Sequence, residues 1–136
     1  MRTLFEKLVK EFCGLVKLPD PAQVIAGQAF DANGVTCTLN YDESLTRDRL
    51  FLFADFGPTN ASTPPALHHE LLVRNFNNFS GAGVGFGIAP KTGHIFYAEP
   101  VPLVIATADQ LLNICLFATA QAVDLRTKFP TPSLKK

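Results

Sequence analysis

The dipeptide Asn33-Gly34 sits between two short runs in which apolar and polar residues alternate. Asn-Gly is the pair that best fills a two-residue type I′ turn, where both turn positions need positive φ. It predicts a β-hairpin, Gln28 to Ala32 and Val35 to Tyr41, and therefore an antiparallel sheet. On the second arm Val35, Cys37, Leu39 and Tyr41 share one face, and Thr36, Thr38 and Asn40 share the other. A third strand follows from Arg49 to Phe56. There Leu50, Leu52, Ala54 and Phe56 oppose Phe51, Phe53 and Asp55. A strand apolar on both faces belongs in the middle of a sheet.

Three helices are predicted around these strands. Thr3-Leu4-Phe5-Glu6 has the form of a capping box, with a helix running to about Val16. At 100° per residue, Leu4, Leu15, Leu8, Phe12, Phe5, Val16 and Val9 spread over about 140°, wider than the ~100° stripe a one-sided helix needs. Leu4 and Leu15 are expected to face the core. The opposite edge, Phe5, Val9 and Val16, is expected to face something else. Pro19 and Pro21 read as a loop. A second helix is expected to start at Thr63-Pro64 and reach Phe76. Its Leu67 and Leu71 lie on one side, and Leu72, Val73 and Phe76 on another, the pattern of a helix held between two surfaces. The last helix spans Thr107 to Leu125, with Asp109 in its first turn.

The run "FSGAGVGFGIAP" tests for a phosphate site. Gly81, Gly83, Gly85 and Gly87 are spaced G-x-G-x-G-x-G, and no register gives G-x-G-x-x-G or the P-loop. Val84, Phe86 and Ile88 alternate with glycine instead. That predicts a fourth strand with a nearly bare face, open to close approach by another backbone or large side chains. A turn at Pro90 to Gly93 and a fifth strand, His94 to about Leu103, complete the order α-βββ-α-ββ-α. The fold class is α+β: an antiparallel sheet of about five strands with three helices. Residues 1–129 form one domain, and 130–136, after Pro130 and Pro132, are expected to be a flexible tail.

Apolar residues make up 47% of the 136 positions and charged residues 18%, a shortage of charge that points to apolar surface covered by a partner. The net charge is zero, which gives no nucleic-acid footprint. From Asp20 to Glu70, seven acids face Arg47 and Arg49, a local net of −5. Cys13, Cys37 and Cys115 are widely spaced and form no CxxC, so reduced thiols in a cytosolic protein are expected rather than zinc. Glu6, Lys7, Lys10 and Glu11 break the first apolar stretch as a signal peptide, and no run reaches the length of a membrane span. His68-His69-Glu70 lacks the second histidine of H-E-x-x-H, because position 73 is Val73. No motif calls for a metal, a cofactor or catalysis.

The element order and the stretch "HHELLVRNFNNFSGAGVGFGIAPKTGHIFYAEPVPL" resemble the small type III secretion chaperones of the Tir-chaperone (CesT) type, the class I effector chaperones. Leu71-Leu72-Val73-Arg74-Asn75, then Val84-Gly85-Phe86-Gly87-Ile88, then Lys91-Thr92-Gly93 and Glu99 carry the likeness, which spans roughly residues 2 to 127. The chain departs from that family in being neutral where its members are acidic. The resemblance implies a non-enzymatic homodimer in the bacterial cytoplasm. It would hold the N-terminal segment of a secreted effector in extended form and keep it soluble for export, with the export ATPase as a further partner. Effector contact is expected at Phe5, Val9, Phe12, Val16, Leu39, Tyr41, Leu50 and Leu52. The dimer seam is expected at Leu72, Phe76, Phe79, Val84, Gly85, Phe86, Gly87 and Ile88. A small α+β ligand-binding or enzymatic domain, with a pocket between sheet and helices, remains the alternative, beside an interaction module unrelated to secretion.

Overall fold

A computed structural model describes residues 1–59, 62–78 and 85–129. The elements are α1 (Arg2–Val16), α2 (Pro21–Ile25), β1 (Phe30–Ala32), β2 (Val35–Asn40), β3 (Arg49–Pro58), α3 (Pro65–Asn77), β4 (Gly85–Ile88), β5 (His94–Pro102) and α4 (Ala108–Lys128). The strands form one antiparallel sheet in the order β1-β2-β3-β5-β4, with β3 in the middle. Asn33 and Gly34 take φ of 52° and 79°, the left-handed pair that a type I′ turn demands. Phe79, Val84 and the tail expected at 130–136 lie outside the described residues.

One face of the sheet is covered. Helix α4 crosses β1, β3 and β5, α1 packs against α4, α2 rests on β2 and α3 on β4. Under them Val35, Cys37, Leu39, Leu50, Leu52, Ala54, Ile95 and Tyr97 are fully buried. Each large side chain buried this way stabilises the chain by about 1.5–3 kcal/mol. Thr107 caps α4 through the Gln110 N–H at 3.2 Å, and the Gln110 side chain returns the bond to the Thr107 N–H at 3.0 Å.

Two local expectations change. The Thr3–Glu6 capping box does not form, because α1 begins two residues earlier. Met1 sits at the cap without a side-chain bond, and Glu6 pairs with Arg2 at 3.3 Å. The segment read as a loop contains α2, a fourth helix. Asp20 accepts the Gln23 N–H at 3.4 Å and Pro21 takes the first helical position, two start signals in adjacent residues.

Candidate functional site

The helix-free face of the sheet is apolar. Strand pairing aligns Thr38, Phe53, Ala98 and Gly85 in one row, and Asp55, Phe96 and Gly87 in the next. Phe51, Phe53 and Phe96 are half-buried rather than covered. The glycines remove what would have been two walls, and a cavity of about 700 Å³ opens between Thr38, Phe53, Phe96, Ala98 and Gly87. Nothing lies within 4 Å of a Cβ built on Gly87, so the shelf is open to an approaching chain. At one corner His94 Nδ1 meets the Asp55 carboxylate at 2.9 Å. The same carboxylate accepts the Gly57 N–H at 2.9 Å, which ties the bulge between Asp55 and Gly57.

At the β4 edge the other glycine has a different neighbour. The Asn75 amide on α3 accepts the Phe86 N–H at 2.6 Å and donates to the Phe86 carbonyl at 3.1 Å. A Cβ on Gly85 would stand 3.1 Å from the Asn75 oxygen, so glycine there makes room for this clamp. Beside it a groove of about 300 Å³ runs between Leu71, Leu72, Gly87 and Ile88. Leu67 and Leu71 face inward and are buried, whereas Leu72 is 68% and Phe76 82% exposed. The two-sided reading of α3 thus has one side packed and one side bare. Phe86 is a partial correction to the expected seam. Its ring turns inward, 5.3 Å from Phe56 and 5.1 Å from Tyr97, because it falls on the same face as Tyr97 in the β4–β5 register. Arg74 pairs with Glu70 one turn back on α3 at 2.9 Å and reaches across to Asp124 on α4, and these bonds hold both carboxyls below their usual range.

The expected effector residues are mostly core. Phe5, Val9, Phe12, Leu39, Leu50 and Leu52 are at most 1% exposed, and Tyr41 is also buried, stacked on Phe5 at 5.3 Å. Conversely Leu4 and Leu15, expected inside, are 39% and 44% exposed. The reason is Cys13. It falls about 40° beyond Val9 on the helical wheel, and a buried thiol acts as a small hydrophobe. Counting it moves the centre of the stripe onto Phe5, Leu8, Val9, Phe12 and Cys13, which are the buried set. Val16 keeps partial exposure. With Phe12, Leu18, Phe30, Leu112 and Leu116 it lines a groove of about 210 Å³ beside β1, where the sheet ends.

The buried thiols are poorly suited to nucleophilic attack. Burial pushes the Cys115 thiol up to about 12, far from a nucleophilic thiolate. Burial also raises Cys13. His68 and His69 are exposed on α3, and no cluster of metal-ligating side chains occurs among the described residues. No helix there is long and apolar enough to cross a membrane. Glu99, which the sequence singled out only as part of a pattern, receives the Tyr97 hydroxyl at 3.0 Å beneath α4.

No family model matches the sequence, and no curated protein matches it. Solved structures do. A chain of the ExsC–ExsE complex superposes with a TM-score of 0.75 at 19% identity, covering 98% of both chains. A chain of the HopA1–SchA chaperone–effector complex gives 0.69 at 18% identity, covering 93% of this chain and 95% of that one. The Yersinia pestis type III secretion chaperone SycH, solved with a stable fragment of YscM2, gives 0.65 at 16% identity over 89% and 98%. The fold is therefore the one found in type III secretion chaperone–effector complexes.

Proposed function

We propose that the chain is a class I type III secretion chaperone, a single-domain cytoplasmic protein without enzymatic activity that binds a secreted effector and keeps it soluble. The observation that carries this is the groove beside β1. An extended segment can add backbone hydrogen bonds at the end of a sheet and drop alternate side chains into an adjacent apolar slot. Here the sheet ends at β1, and the slot between Phe12, Val16, Leu18, Phe30, Leu112 and Leu116 lies next to it. Of the effector contacts expected from the sequence, Val16 and Phe12 line that slot; the others are buried in the core.

A homodimer accompanies this reading. Its seam is the bare side of α3, Leu72 and Phe76, with Gly87 and Ile88 at the β4 edge. That leaves the β1 groove of each protomer free for the client.

Co-expression with the secreted protein encoded beside its gene tests the assignment. The N-terminal segment of that protein is expected to co-purify and to stay soluble only in the complex. Val16→Glu places a charge in the groove without opening the core and should weaken binding by about tenfold or more. A parent protein that fails to retain the segment, or a Val16→Glu variant that binds as well as the parent, would remove the support for this reading.

A further inference from the structure

A second cavity lies on the helix-covered side, where α3 ends and α4 passes over β5. Its volume is about 340 Å³, and Asn78, Tyr97, Glu99, Asn113, Ile114 and Phe117 line it. Two features set it apart from the apolar grooves. The first is a carboxylate with incomplete compensation. Glu99 is half-buried and receives one bond, from the Tyr97 hydroxyl. No cation pairs with it among the described residues, although Glu70, Asp124, Asp48 and Glu6 all have basic partners. Burial holds its carboxyl above the usual range, and Tyr97 and Cys115, the titratable groups beside it, add no positive charge. The second feature is the wall. Phe117 is 51% exposed at the mouth and stands edge-on to Tyr97, with ring centroids 6.4 Å apart.

We propose that this cavity receives one guanidinium group, an arginine side chain of the bound client segment. The source of the group rests on the chaperone reading above; the chemistry of the cavity does not. The Glu99 carboxylate is the charged acceptor there, and Asn78 and Asn113, which also line the cavity, each carry a side-chain carbonyl that can accept beside it. A guanidinium brings five donors in one plane, is weakly hydrated and stacks on aromatic rings. An ammonium offers a point charge that holds its water more strongly. An apolar side chain would bury the carboxylate without compensation, and an acidic one would be repelled. The arginine stem would lie along Ile114 and Phe117, which supply an apolar path to the mouth.

The test uses the whole protein, nitrogen-15 labelled, titrated at pH 8 and constant ionic strength with ethylguanidinium chloride and with butylammonium chloride. Saturable shifts are expected at the Asn78 and Asn113 side-chain amides with ethylguanidinium, with butylammonium binding more weakly. Glu99→Gln keeps an acceptor for Tyr97 but loses the charge, and should weaken binding about tenfold. Phe117→Leu, at a position open to solvent, should weaken it about threefold without unfolding the chain. Shifts that do not saturate overturn the site, as does equal affinity in Glu99→Gln and the parent. Equal affinity for the two cations overturns the guanidinium assignment. The probes are not proteins, so this result stands or falls independently of client capture.

Discussion

Strand β3 separates two environments along a single run of ten residues. Leu50, Leu52, Ala54 and Phe56 point beneath the helices and are buried, whereas Phe51 and Phe53 point to the bare face and remain half-exposed. Both sets are apolar, so hydrophobicity alone does not tell which side is core. What differs is the cover. Helices α1, α2 and α4 lie on one side and α3 closes the β4 edge, and nothing among the described residues lies on the other. A strand written for burial on both faces, in a sheet covered on one, marks the second face as surface reserved for another chain.

The largest effect that sharpens this comparison is on stability. Leu52→Ala opens a cavity under α4 and should cost about 2–5 kcal/mol, whereas Phe53→Ala on the bare face should cost under about 1 kcal/mol. Urea unfolding of both variants measures the difference, and similar losses would show that the second face is also closed in the free protein. A smaller effect concerns association. Phe76→Asp, on a side chain 82% exposed, should leave the unfolding free energy of the protomer within about 0.5 kcal/mol but convert a dimer into a monomer by light scattering. A variant that scatters like the parent breaks the link between α3 and assembly.

The smallest effect sets one carboxylate inside against one at the rim. Burial raises the Glu99 carboxyl above its unfolded value, so its ionisation opposes folding. The protein loses that increment as pH rises from about 4.3, the unfolded value, through the higher folded one. Glu99→Gln should therefore melt above the parent at neutral pH and match it in acid. The Glu70 carboxyl is lowered, first by its bond from Arg74, so its contribution is present above the unfolded value and is lost as pH falls through the folded one. Glu70→Gln should melt below the parent at neutral pH, with the gap closing in acid. Melting curves at pH 4 and pH 7 that move the two variants in the same direction would contradict the contrast.

Much of the architecture was readable before any coordinates. Asn33-Gly34 dictates the hairpin, and the doubly apolar run of β3 dictates its central place. Each is a short-range signal with one physical solution. The facing of α1 was not readable from aliphatic and aromatic residues alone, because Cys13 shifts the centre of the stripe. Helix α2 was hidden by two prolines, although Asp20-Pro21 is a start signal. The groove beside β1 and the cavity at Glu99 were less accessible still. Both are assembled from elements far apart in the chain, and their signal is convergence in space. Glu99 stood in the sequence as one acid in a strand; only the helix above it makes its charge conspicuous.

The Asn75 clamp has a consequence for the way such sheets grow. An amide that accepts the Phe86 N–H and donates to the Phe86 carbonyl imitates the next strand in the ladder. Extension at the β4 end is blocked there by the protein's own side chain, while the β1 end stays available. Head-to-tail polymerisation requires two complementary open ends, and the described residues offer one. A strand can be accepted at β1, but the chain reaction that would turn a strand-accepting protein into a fibre has no second site among the described residues on which to continue.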